Sequence, residues 1–183
     1  MSLLKKIAFV LLSVVGFSTH AKSTAPDKSG TDAMRELRLR ALSVPANEFG
    51  ISPSNEFPRT YAVLIDFPMS EVIVTIVSLS DGSASMYTTS TFGIIGGGSY
   101  EKVKVAAAHL VVEPDKLFEE AKPTKDYPYP AKGKVRFYLV SFTDVRVIET
   151  DLAAIESNQS KYSSLFWLGQ EVMTQLRLET EKK

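Results

Sequence analysis

Cysteine is absent from the chain. That excludes disulfides, thiolate metal sites, a cysteine nucleophile and a lipid-bearing cysteine. Histidine is nearly absent, with two in 183 residues, too few for a histidine-rich metal site. Neither sign of charge predominates: 21 Lys and Arg stand against 21 Asp and Glu. A nucleic-acid binder needs a basic surplus to displace counterions, so no nucleic-acid partner is expected. Long apolar runs are also missing. The longest, residues 7–17 (IAFVLLSVVGF), has eleven residues, against the ~20 that span a bilayer. What remains, with 44% hydrophobic and 23% charged residues, suits one globular domain and excludes a disordered, collagenous or coiled-coil chain.

The first residues carry an address. Lys5 and Lys6 precede the apolar run, and Thr19 and Ala21 are small residues spaced for signal peptidase. This is the three-part pattern of a secretory signal, so residues 1–21 are expected to be cleaved and the product to be periplasmic or secreted. No transmembrane segment is then expected. Removing 21 of 183 residues leaves 162, with His109 as the only histidine. A chain of that size buries roughly two thirds of its unfolded surface, enough for a core without staples. Residues 22–30 (KSTAPDKSG) read as a flexible leader, and residues 31–183 as a single domain.

Within that domain, Thr31 is a candidate N-cap for an amphipathic helix that Pro45 ends. Residues 61–67 (YAVLIDF) and 71–79 (EVIVTIVSL) read as strands. Asp81-Gly82 predicts a two-residue hairpin that sets Val77 opposite Met86 and Ile76 opposite Tyr87, with residues 83–91 returning. Both faces of the outgoing strand are apolar, which places it away from an exposed edge. A glycine-rich connection, residues 92–98, leads to a helix with Val103, Ala106, Ala107, Leu110 and Val111 on one stripe, and Pro114 interrupts it. Residues 122–133, with three prolines, read as a loop. Residues 134–142 and 145–150 are strands about a turn at Thr143-Asp144, which sets Leu139 opposite Ile148. Residues 163–179 form a last helix, with Gly169 where another element approaches closely. The expected fold is α+β: a single two-layer domain with a five-stranded, mainly antiparallel sheet and three helices.

This order of elements resembles the profilin-like and roadblock-like folds. Four stretches, LRLRALSVPANEFGISP (37–53), TIVSLSDGSASMYTTSTFGIIGGG (75–98), KVRFYLVSF (134–142) and SSLFWLGQEVMTQLR (163–177), resemble an uncharacterised family of bacterial exported proteins. The resemblance implies no reaction, cofactor or catalytic residue. Roadblock-like modules serve as interaction platforms, and that role is a fold-level analogy.

Several residues invite a chemical reading. Gly96, Gly97, Gly98 and Ser99 enter a helix, where free backbone N–H groups attract anions. The same glycines also suit a tight turn packed against the sheet. Neither GxGxxG nor GxxxxGK[ST] is present. His109 is either a helix residue without further role or the sole base of a triad. Asp66, inside an apolar strand, is either a tuned acid or base or a strand-end acid capping the turn after Pro68. Its possible partners, Asp81 and Asp144, are explained as turn residues. Tyr127 and Tyr129, alternating with Pro128 and Pro130 beside Lys122 and Lys125, are either a recognition segment or a cover over a core edge. Tyr162, Phe166 and Trp167 are either a binding anchor or part of a wide buried face. The expected function is that of an exported, non-catalytic binding protein with a protein partner, including a second copy of itself, and no cofactor. The alternatives are a small-anion or metabolite sensor at the glycine turn and a hydrolase-type enzyme.

Overall fold

Apart from Asp66 and the hydroxyl of Tyr61, the run of residues 61–67 has no polar group on its side chains to turn toward water. Such a strand must be covered on both faces. A computed structural model describes residues 28–181, and in it β1 (Thr60–Met69) is the central strand of seven. The others are β2 (Val72–Leu79), β3 (Ala84–Thr88), β4 (Gly93–Ile94), β5 (Lys122–Thr124), β6 (Lys134–Ser141) and β7 (Val145–Asp151). Their order across the sheet is β4-β3-β2-β1-β6-β7-β5, and every pairing is antiparallel. β2 is internal, as its two apolar faces require. Four helices flank the sheet: α1 (Lys28–Ser43), α2 (Glu101–Val112), α3 (Leu152–Glu156) and α4 (Ser163–Thr180). α1 begins three residues before Thr31. The expected signal sequence, its expected cleavage after Ala21 and the first residues of the expected leader lie outside the described residues.

The α+β class and the antiparallel sheet stand. Among the described residues the counts are corrected from five strands to seven and from three helices to four, and the two layers become three. Alternate residues of β1 enter different cores. Val63, Ile65 and Phe67 meet α2 and α4, while Ala62 and Leu64 meet α1. The missed strands, β4 and β5, are two and three residues long and sit inside glycine- and proline-rich connections. Their pairing comes from β3 and β7, not from a pattern of their own. α3, at five residues, is too short to show a helical period.

Both hairpin registers also differ from expectation. The first loop has three residues: Leu79 N–H bonds to Ser83 O at 2.8 Å, Gly82 N–H bonds back to Leu79 O at 3.0 Å, and Gly82 takes φ +81°. This is the three-residue loop with a left-handed third residue, not the two-residue turn. Ile76 therefore pairs with Met86 and Val77 with Ser85. A one-residue slip exchanges faces, so Met86 lies in the α2–α4 core and Tyr87 in the α1 core. At the second hairpin Phe142 and Thr143 form the turn, with Ser141 N–H on Asp144 O at 2.9 Å. Leu139 then pairs with Arg146 and Phe137 with Ile148. That shift is two residues, so the faces are kept. Gly169 meets the expected close approach: a Cβ there would strike Ile65.

Candidate binding groove

α1 turns Met34, Leu37, Ala41 and Leu42 toward the sheet. In helical spacing one more residue belongs to that stripe, and it is Arg38. Arg38 is 2% exposed. A buried guanidinium needs a counter-charge, and β1 supplies it. The parity that sends Leu64 into the α1 core also sends Asp66 there, fully buried. Arg38 Nε donates to both carboxylate oxygens at 3.2 and 3.1 Å, and Nη2 donates to Oδ2 at 2.5 Å. Thr75, paired with Asp66 across β1 and β2, donates its hydroxyl to Oδ1 at 2.5 Å. Burial lowers the Arg38 pKa, but the hydrogen bonds and charge of Asp66 outweigh it, so the net shift is upward. Asp66 is therefore not a strand-end acid that caps the turn after Pro68. It is the anchor of α1.

The same guanidinium holds a third segment. Its Nη1 donates to Tyr127 O at 2.9 Å, and its Cζ lies 4.3 Å from the centroid of the Tyr129 ring. Residues 125–133 thus form a strap over the ion pair. Two side chains of β6 fasten it further: Tyr138 OH and Arg136 Nη1 both donate to Pro128 O, at 2.6 and 2.9 Å. Tyr127 meets Tyr138 edge-on at 5.9 Å. Of the two sequence readings, the loop that covers a core edge describes Tyr127 and Tyr129, with Arg38 as the group they cover.

Between the end of α1, the start of the strap and the β6–β7 turn lies a groove of about 570 Å³. Leu42, Val44 and Pro45 form one wall, Pro123, Thr124, Lys125 and Tyr127 another, and Val140, Phe142, Asp144 and Val145 the third. Tyr61 lies among them, its ring 5.3 Å from that of Phe142. Its hydroxyl donates to Val44 O at 2.9 Å. Burial, with a lesser push from Tyr127, raises the Tyr61 pKa to about 12. Asp144 accepts from Ser141 Oγ at 2.6 Å and from Arg146 Nε at 3.1 Å, which hold its carboxyl below the usual range. Arg38 thus ties two of the three walls to the sheet, one through its own helix and one through the strap.

The other candidate residues lie elsewhere. Gly97 is buried in a short 3-10 turn, and a Cβ there would meet Leu176, Val103 and Ala84 O. Gly98 lies against Ser83, and Gly96 takes φ +81°. Ser99 does not cap α2: the N-cap position belongs to Tyr100, one residue on. Phe166 is buried, edge-on to Phe67 at 5.3 Å, while Trp167 beside it is 44% exposed and donates to Asn158 Oδ1 at 3.1 Å. The aromatic pair therefore splits, one ring to the core and one to the surface. Tyr162 is half-buried and donates to Glu120 at 3.3 Å. His109 is exposed on α2, on the far side of the sheet from Asp66. Among the described residues, no cluster of three or more His, Asp or Glu could hold a metal ion, and no helix is long and apolar enough to cross a membrane.

Arg38 and most of the groove were missed from the sequence. The signal for Arg38 was a charge at a stripe position, but Arg35 and Arg40 on the same helix do point to water, and the local pattern does not set Arg38 apart from them. Comparison with known proteins adds no relative: no family model, no curated protein and no solved structure matches this chain.

Proposed function

We propose that the protein acts by binding, outside the cytoplasm, and that its recognition surface is the groove between α1, the strap and the β6–β7 turn. The groove itself carries this reading. Its volume falls within the ~300–1,000 Å³ of ligand sites, and its walls are mainly apolar with a few polar groups. The walls come from three segments far apart in sequence, each fixed by buried or backbone hydrogen bonds, so the surface is pre-organised and little ordering opposes binding. Catalysis is less well supported at Asp66, whose oxygens are committed to Arg38 and Thr75 beneath the strap. An anion cradle at Gly96–Gly98 and Ser99 is less well supported too, since close packing already accounts for Gly97. Export rests on the pattern of residues 1–21.

A photo-reactive amino acid placed at Thr143, on the groove rim, tests the reading in the source cells. The same group at Lys102, exposed on α2, serves as the control. A specific adduct, identified by mass, is expected from position 143. Adducts from position 102 and none from 143 would move the recognition surface to the helical layer.

A further inference from the structure

We infer that the groove takes a small amphiphile with a single anionic head, an alkyl or aryl carboxylate, and that Lys125 meets the head. The inference rests on the groove being the recognition surface. It follows from what the lining has left to offer an occupant. Most of the lining hydroxyls are committed to the protein: Tyr61 donates to Val44 O, Ser43 to Leu39 O at 2.7 Å, Thr124 to Asp126 O at 2.9 Å and Ser141 to Asp144. The acid of the lining, Asp144, is neutralised by Arg146. Lys125 is exposed and makes no ion pair among the described residues. A polypeptide segment would bring an N–H and a C=O per residue, and groups so committed answer few of them. A hydrocarbon body asks for none. One uncompensated cation then favours an anionic head over a neutral or cationic one.

The test titrates the isotope-labelled protein, below micelle-forming concentrations, with octanoate, decanoate, decanol, decylammonium and an apolar hexapeptide bearing a free C-terminal carboxylate. Amide shifts locate each ligand. Decanoate is expected to shift residues 42–45, 123–127 and 140–145, and to bind on the order of tenfold more tightly than octanoate. Lys125→Ala is expected to weaken decanoate about three- to fivefold, as for a partly exposed ion pair. It should leave decanol unchanged, and Lys125→Arg should restore decanoate. Lys125 is exposed, so these variants leave the core alone. Decanol as tight as decanoate, or no effect of Lys125→Ala, would overturn the ligand class. Groove shifts with the peptide and none with decanoate would also overturn it while leaving the groove as the recognition surface. Shifts confined to other surfaces with every probe would overturn both.

Discussion

Asp66→Asn is the sharpest test of the ion pair beneath the groove. The amide has nearly the shape of the carboxylate and still accepts from Thr75, but its NH2 replaces Oδ2 and turns a donor toward the guanidinium, so the change removes the charge and one acceptor of Arg38. It leaves the Arg38 guanidinium 2% exposed with no counter-ion, although Tyr127 O and the Tyr129 ring remain. Breaking one partner out of a buried pair costs about 3–5 kcal/mol. Domains of this kind are stable by about 5–15 kcal/mol. With a urea dependence of about 2 kcal/mol per molar, the midpoint should fall by about 2 M. The melting temperature should fall by on the order of 10 °C.

The double variant Arg38→Met, Asp66→Asn separates the pair from the packing. Removing both charges should recover at least half of the loss, because the cost of the single change is an orphaned charge and not a cavity. Urea titration followed by far-UV circular dichroism measures both. A loss under about 1 kcal/mol for Asp66→Asn would mean that the pair behaves as a solvated surface bridge. A double variant less stable than the single would mean that Arg38 is held chiefly by the strap. Either result refutes the account given for α1.

Four further outcomes follow from particular residues. Gly97→Ala forces a Cβ against Val103 Cγ1 at 2.9 Å and Ala84 O at 3.1 Å and should cost about 1–3 kcal/mol by urea titration; a silent substitution would reopen the ligand reading of that turn. Gly96→Ala has open space and should cost only the left-handed backbone, about 1–2 kcal/mol. Tyr61 should ionise near pH 12 in the folded protein and near 10 when unfolded. Its contribution is thus intact below pH 10 and lost as the pH rises through 12. Tyr61→Phe should flatten that fall by up to about 1.4 kcal/mol per pH unit and remove a late step from the absorbance titration at alkaline pH. Phe166→Ala should cost about 3–5 kcal/mol, while Trp167→Ala should cost far less; equal losses in thermal unfolding would contradict the split between the two rings.

How much of this was legible depends on the range of the interactions involved. The long strands, the two long apolar stripes of α2 and α4, and the close approach at Gly169 come from local periodicity, and they could be read. The registers turn on one or two residues of loop geometry. Asp81-Gly82 signals a hairpin, but the left-handed φ of Gly82 alone fits a two- or a three-residue loop, and the choice decided which core received Met86. The groove lay furthest from reach. Residues 42–45, 123–127 and 140–145 come together only because β5 joins the sheet beyond β7, and three residues inside a proline-rich loop do not announce that pairing.

The ion pair is different, because its signal was present twice. Arg38 occupies a stripe position of an amphipathic helix, and Asp66 interrupts an apolar strand. Read singly, each has a bland explanation: a long side chain that reaches water, or an acid at a strand end. Read together, they constrain one another. A charge forced toward a core by its period must either escape or find an opposite charge, and these two are of opposite sign. Arg38 in the stripe and Asp66 in the run therefore predict that α1 lies on the Asp66 face of β1. That single pairing also places a layer on the second face of the sheet, which the expectation of two layers had left open.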